Sequence, residues 1–419
     1  VLSLDAQTNF TKLEEQSKVR INIFQSYEIL PDINSTDIII DAIFGSGLNR
    51  PLDDFAASVV NLINASRAKV ISIDIPSGLL VDDNENNNPD NIIKAEITLT
   101  LQFPKLSFFF GENYRFVSEW IVIPIGLHEN YINNTPTDFS YSTHKEIASK
   151  IFTRKKFDHK GKFGHAFLIS GSYGKIGAAV LASKACLRAG VGLLTVHIPR
   201  FGYEIIQTAI PEAMTSIDKY DKVISKIPAI DNYTAVGIGP GIGKSHQAML
   251  AMKELLEKIS IPIVIDADAI NILAENRELI NLVPPNSIIT PHPKEFERLV
   301  GRSENHYERL KKQIKFAADH SLVVVLKGAY TSIVDPLGNC VFNTSGNPGM
   351  AKGGCGDILT GIILALYAQG YTSFDAAYIG AYIHGFAADL AVIENSEEAL
   401  LSTDIINFIG KAFMNLKKD

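Results

Sequence analysis

Cysteine is scarce in this chain: Cys186, Cys340 and Cys355 are the three among 419 residues. No two stand at CxxC spacing, which argues against a zinc site or a disulfide framework and fits a reducing, cytoplasmic setting. Nowhere do about 18 apolar residues run together, as a membrane-spanning helix needs. The first residues do not form a signal peptide. No basic block occurs, and the net charge is −7. That balance argues against nucleic acid as the main partner. It leaves nucleotides open, because local amides and single cations hold them. The chain opens on Val1 rather than Met, which reads as processing, truncation or partial cloning.

What is present is apolar and regularly spaced. Hydrophobic residues make up 46% of the chain, enough for large cores, and the length suggests two or three domains. Residues 37–44 and 69–75 read as buried strands, with a helix pattern over about 54–66 between them. Further on, strands are predicted at 165–170, 192–198, 235–238, 261–265, 287–289 and 322–326. Helices are predicted over about 176–189, 358–368 and 374–393. Short apolar strands alternating with helices predict parallel α/β architecture. Such sheets hold ligands at the C-terminal ends of their strands. The polar segment 128–142 reads as a linker, and 84–91 as a loop within the first domain.

The densest motif is Asn347-Pro348-Gly349-Met350-Ala351-Lys352-Gly353-Gly354-Cys355-Gly356-Asp357, followed by an apolar helix pattern. Three glycines before a helix free its first amides to face a ligand. The helix N-terminus adds partial positive charge, which favours phosphate. An acid there, Asp357, suggests proton removal during phosphoryl chemistry. The plainer reading is a glycine turn with Asp357 as the cap.

Gly237 to Ser245 tempts a P-loop reading, but GxxxxGKS would need glycine where Ile238 stands. Asp266 and Asp268 end one strand and would steer a metal–nucleotide or substrate hydroxyls, or cap the next helix. His292, between Pro291 and Pro293, is rigidly placed at the same edge. Lys327 would point a cation at phosphates, with Gly328 permitting close approach. Lys160 to Gly164 would close over a ligand or form an exposed basic turn. In the first domain, Asp41 with Gly45-Ser46-Gly47, and Asp74-Ile75-Pro76-Ser77-Gly78, suit a rigid base over a ligand or ordinary turn chemistry.

In this order the motifs resemble those of the bifunctional NAD(P)HX repair enzymes, in which an NAD(P)H-hydrate epimerase domain is joined to an NAD(P)H-hydrate dehydratase domain. The dehydratase half matches from about residue 140 to 419. It carries the Gly171–Ala178 turn, Gly239-Pro240-Gly241, Asp266-Ala267-Asp268-Ala269, Thr290-Pro291-His292-Pro293, Lys327-Gly328 and the run Asn347 to Asp357. The resemblance implies a ribokinase-like α/β/α sandwich over 139–419. Over 1–138 it implies an incomplete Rossmann-like, three-layer epimerase domain.

It also implies ADP-dependent dehydration of hydrated NADH or NADPH, releasing AMP and phosphate, with ATP as the alternative nucleotide and Mg2+ accompanying it. Asp357 would be the catalytic base. Lys327, Gly328, Ala329, Tyr330 and Thr331, then Asn347, Pro348, Gly349, Met350, Ala351, Lys352, Gly353, Gly354, Cys355 and Gly356, match the nucleotide-binding segments. Ala178, Gly241, His292 and Asp357 match the hydrated-cofactor contacts. Cys355 stands where many relatives carry Thr or Ser, a change the amide role survives.

In the epimerase half, Asp74 would act on the epimerising carbon. Gly45, Ser46, Gly47, Leu48, Asn49 and Arg50 would line the substrate, and Asp41 and Ser77 would contact K+. Phe103-Pro104-Lys105 also matches. The family's opening helix and its Asn-Asn-Gly-Gly-Asp-Gly loop are not seen in the sequence, so little or no epimerase activity is expected. A symmetric homo-oligomer is expected. The alternatives are a small-molecule kinase of the same fold, acting on a vitamin alcohol or sugar, and a non-catalytic nucleotide-binding scaffold.

Overall fold

The computed structural model describes residues 4–24 and 31–417. The chain divides into two compact units, Val1–Asn133 and Asn134–Asp419.

The first unit is built on four parallel strands in the order β1 (Ile38–Asp41), β2 (Lys69–Ile73), β3 (Ala95–Leu101), β4 (Val117–Ile123). The helix Asp54–Ser66 connects β1 to β2. Its Val60 and Ile63 are buried with Val70 of β2 and Ile93. A second cluster joins Ile75, Leu79, Ile92, Phe108 and Phe116 beside the strand ends. Strand β1 stops at Asp41, earlier than the predicted 37–44. The carboxylate of Asp41 is drawn into the turn chemistry described below.

The second unit holds a ten-stranded sheet in the order β5-β14-β13-β12-β11-β10-β9-β6-β7-β8. These strands are β5 (Phe139–Tyr141), β6 (His165–Ile169), β7 (Leu193–Ile198), β8 (Met214–Ile217), β9 (Ala235–Ile238), β10 (Ile263–Ile265), β11 (Ile288–Ile289), β12 (Val323–Leu326), β13 (Ser332–Val334) and β14 (Cys340–Phe342). From β12 to β8 every pairing is parallel. The β12–β13 and β13–β14 pairings are antiparallel.

The predicted linker 128–142 holds the boundary between the two units, but it also contains the helix Glu129–Asn134 and strand β5. Ser140 pairs with Val341 of β14. An edge strand supplied from afar overrides the polar composition of the segment.

Two features place the site. The chain leaves β6 outward to β7 and β8, then returns to β9 on the other side of β6. That reversal is a topological switch point, and the crevice above it is where open parallel sheets bind ligands. The helix Cys355–Ala368 is buried along most of its length and packs on the helix Ile176–Arg188. Both helices begin at the C-terminal edge of the sheet.

Candidate active site

Two glycine turns flank the switch point: residues 171–175 after β6 and 239–243 after β9. They are tied together. The Gly171 amide donates to the Pro240 carbonyl at 2.8 Å, and the Ser172 hydroxyl to the Gly241 carbonyl at 2.7 Å. Gly239 has φ +136°, and a side-chain carbon there would lie 1.8 Å from the Asp266 carbonyl oxygen. Only glycine lets this turn close against the end of β10.

A cleft of about 570 Å³ opens between these turns and the start of the helix Cys355–Ala368. Ala178, Gly241, Asp268, Glu295, Gly354 and Asp357 all face it. Three of the four residues matched to hydrated-cofactor contacts therefore share one cleft. The fourth, His292, is not on its wall. Its Nδ1 accepts from the amides of Lys294 and Glu295 at 3.1 and 3.3 Å, capping the helix Pro293–Val300. Its Nε2 lies 3.5 Å from Glu295, which does face the cleft. His292 is thus a helix cap beside the site. Burial, followed by the charge of Lys327, lowers its pKa.

Gly354, at φ +94°, is the N-cap of the helix Cys355–Ala368, so Asp357 is not the cap but the third helical residue. Cys355 is buried, with its Sγ 3.3 Å from the Ser402 hydroxyl, which donates to the Gly353 carbonyl at 2.8 Å. The thiol braces the turn, leaving the first amides of the helix as its unpaired donors. Asp357 accepts no hydrogen bond among the described residues. Burial, reinforced by the charges of Asp266 and Asp268, pushes its pKa up to about 7 against the pull of Lys327.

Beneath the turn lies a charged floor. Lys327 Nζ is 2.9 Å from Asp266 Oδ1, and the buried Thr360 hydroxyl donates to Asp266 Oδ2 at 2.6 Å. Glu295 lies 4.0 Å from the same ammonium, its own pKa raised by burial. A side-chain carbon at Gly356 would be 3.4 Å from Lys327 Nζ. The segments 327–331 and 347–356 therefore meet at Gly356. Asn347 is held by Asp389 at 2.9 Å, while its own side-chain oxygen accepts from the Gly349 amide. Thr331 and Gly328 bond to one another, and Lys352 bonds to the Glu398 carbonyl.

Asp266 precedes the helix Ala267–Glu275 without capping it through its side chain. Asp268 instead bridges the Gly243 amide, at 2.9 Å, and Lys175, at 3.0 Å. Sequence reasoning overlooked Thr360 and Lys175. Thr360 lies in an apolar helix and Lys175 inside the Gly171–Ala178 turn, and only the fold sets them against Asp266 and Asp268. The spacing of His292 and Glu295 did carry a signal, that of a capping box.

The first unit has a site of its own. Asp41 is buried at the end of β1 and accepts from Ser72 Oγ at 2.7 Å, Ser77 N at 2.8 Å and Ser77 Oγ at 2.6 Å. No basic side chain among the described residues reaches it. Asp74, at φ +70°, is held by Lys105 at 2.6 Å and by the Ser46 amide at 3.0 Å. Burial works to raise its pKa, but Lys105 and the Ser46 amide leave it below the usual value. Gly45 and Ser46 therefore meet Asp74, whereas Arg50 is exposed beside Asp53. The pairing of Lys105 with Asp74 was not legible from either motif alone.

The NAD(P)H-hydrate dehydratase family matches residues 166–411, and the YjeF-related N-terminal family matches residues 2–107. The bifunctional NAD(P)H-hydrate repair enzyme Nnr of Vibrio cholerae is 37% identical over 89% of this chain and 74% of its own length. That of Moorella thermoacetica is 32% identical over 99% of this chain and 80% of its own. Among solved structures, the ADP/ATP-dependent NAD(P)H-hydrate dehydratase of Bacillus subtilis, co-crystallised with ATP and Mg2+, aligns with a TM-score of 0.59 at 29% identity. It covers 66% of this chain and 98% of that one. A ribokinase-like superfamily protein of Enterococcus faecalis aligns at 0.61 and 26% identity, over 70% of this chain and all of the other. With this cleft on a ribokinase-like sheet and these matches over nearly the full length, the chain belongs to the bifunctional NAD(P)H-hydrate repair enzymes.

Proposed function

We propose that the second unit restores hydrated NADH or NADPH by phosphorylating the ring hydroxyl and then eliminating phosphate. The observation that carries this is Asp357, an acid with no hydrogen-bond partner among the described residues, at the mouth of an open helix N-terminus. The hydroxyl oxygen attacks the terminal phosphorus of ADP, the bond to AMP breaks, and Asp357 takes the hydroxyl proton. A pKa of about 7 suits a base working near neutrality. The amides of Gly354, Cys355 and Gly356 face the charge on the transferred group. The carbon–oxygen bond to phosphate then breaks as the neighbouring ring carbon loses a proton, restoring the double bond. Phosphate leaves where hydroxide would not.

Residues 327–331 and 347–356 form the nucleotide side of this reading. Ala178, Gly241 and Asp357 form the hydrated-cofactor side, with His292 acting next to Glu295. Mg2+ would arrive with the nucleotide, as in the Bacillus subtilis relative co-crystallised with ATP and Mg2+. Asp266 and Glu295 already face Lys327 Nζ, so the phosphates would supply most of its oxygen ligands. One or two carboxylates plus substrate phosphates are its usual set. When bound, it would neutralise phosphate charge.

In the first unit, where little or no turnover is expected, Asp74 would act on the epimerising carbon and residues 45–50 would line that substrate. Asp41 and Ser77 would hold K+, since Asp41 is a buried carboxylate without a basic partner among the described residues. The ion would supply positive charge beside the loop.

Recovery of NADH absorbance from S-NADHX, with ADP, with ATP and with neither, tests the dehydratase. Recovery that requires ADP and releases phosphate is expected. A stable phosphorylated product would instead establish a kinase. For the epimerase, interconversion of the R- and S-epimers that survives Asp74→Asn would remove Asp74 from its role.

A further inference from the structure

A second cavity lies at the far edge of the ten-stranded sheet. It measures about 440 Å³ and opens beside the segment 151–163 that leads into β6. Ile151, Phe152, Phe163, Leu366 and Phe413 give it an apolar body. Four cations face it: Arg154, Lys162, Arg188 and Lys417. Among the described residues, the one carboxylate on its wall, Asp158, is taken by Lys162 at 2.7 Å.

Arg154 is held in place rather than neutralised. It donates to the Gly190 carbonyl and, at 2.9 Å, to Gln369, and it lies 3.9 Å from the centre of the Phe163 ring. No carboxylate among the described residues pairs with Arg188 or Lys417. Both stand at helix C-termini, where a cation offsets about half a negative charge. That accounts for part of the positive charge but not for Arg154, nor for Lys155, Lys156 and Lys160 in the adjoining segment. The concentration stands out in a chain of net charge −7.

Two helices join this cavity to the catalytic cleft. The helix Ile176–Arg188 starts at the cleft with Ala178 and ends here with Arg188. The helix Cys355–Ala368 starts at Asp357 and ends beside Leu366 and Gln369. They touch backbone to backbone: a side-chain carbon at Gly361 would lie 2.1 Å from the Ala182 carbonyl oxygen. A helix of this length spans about 20 Å. The two packed helices give this cavity a continuous physical connection to the cleft.

We propose that this cavity is a regulatory site for a phosphorylated small molecule with an apolar or planar body. Its volume suits a small ligand rather than a polymer, and the chain's net charge disfavours a long polyanion.

Hydrogen-exchange mass spectrometry of the full chain with inorganic pyrophosphate, against sodium chloride at matched ionic strength, locates the anion. Protection of peptides covering 151–163 and 187–190 is expected. Affinity should fall at least about tenfold in Arg188→Ala/Lys417→Ala, the loss of two charged contacts. Protection confined to 347–357, or none, would overturn the site. A second arm follows NADH recovery at saturating ADP, so that competition at the cleft is suppressed. The rate should change by about fivefold in the unmodified chain, a typical coupling, and stay level in the double variant. An unchanged rate alongside located binding would overturn the regulatory half. This arm rests on the dehydratase reading, whereas the exchange arm does not, so the two failures are separable.

Discussion

Asp74 in the first unit and Asp357 in the second are both candidate catalytic carboxylates beside glycine turns, yet their surroundings push them in opposite directions. Asp74 has a lysine at 2.6 Å and a backbone amide at 3.0 Å. These outweigh its burial and hold its pKa below the usual carboxylate value. Asp357 has neither, and its nearest charges include two further carboxylates. Similar local motifs thus yield an acid that is charged at neutral pH in one unit and a base poised near neutrality in the other. Partners drawn from distant segments make the difference: Lys105 for Asp74, and Asp266 with Lys327 for Asp357.

The largest expected effect tests the poised base. Asp357→Asn should lower dehydration by about a thousandfold, the range for a lost general base, while ADP affinity measured by calorimetry stays the same. Turnover within a few-fold of the parent would end the assignment. Next is the turn that shapes the cleft. Gly239→Ala places a carbon against the Asp266 carbonyl and should cost about 3 kcal/mol or more, read as a lower melting temperature with loss of dehydration.

The pH dependence sharpens the comparison further. The kcat/KM for dehydration should rise through about pH 7 as Asp357 ionises. Asp266→Asn, which removes a like charge, should move that midpoint down by about one unit; an unmoved midpoint would place the titration elsewhere. Stability carries the opposite sign. The folded chain keeps a proton on Asp357 that the unfolded chain releases near 3.8, so stability falls as pH rises from there to about 7. Asp357→Asn should remove that loss and stabilise the protein at pH 8 by about 1–3 kcal/mol, measured by urea titration.

The smallest effect concerns Asp74. Its folded pKa lies below the unfolded one. Its contribution is therefore present above the ordinary carboxylate range and disappears as pH falls through the folded value. Lys105→Met should cost about 1 kcal/mol at neutral pH, the lost hydrogen bond being offset in part because a largely covered ammonium no longer has to be desolvated. It should also flatten the acid limb of the stability profile. An unchanged limb would show that Lys105 does not set the charge of Asp74.

Much of the architecture was legible in the chain. The helix Asp54–Ser66 and strand β9 fall where their periodicity places them. The helix Cys355–Ala368 starts three residues before its predicted apolar run, because Gly354 adopts the left-handed conformation that begins it. The segment 128–142 was not legible, since polar residues carry no mark of the distant strand that recruits them. Likewise Thr360 reads as one more residue of an apolar helix until the fold sets it 2.6 Å from Asp266.

Short-range chemistry belongs to the sequence. Glycines permit turns, apolar runs make buried strands, and an acid after a glycine run lands in the first turn of a helix. Those rules placed the cleft at the strand ends and Asp357 within it. The tertiary structure decided the charges. Whether a carboxylate is paired depends on groups 27 to 94 residues away, and electrostatic energy follows distance in space rather than along the chain. That is why Asp74 and Asp357 look alike in the sequence and have pKa values shifted in opposite directions in the fold.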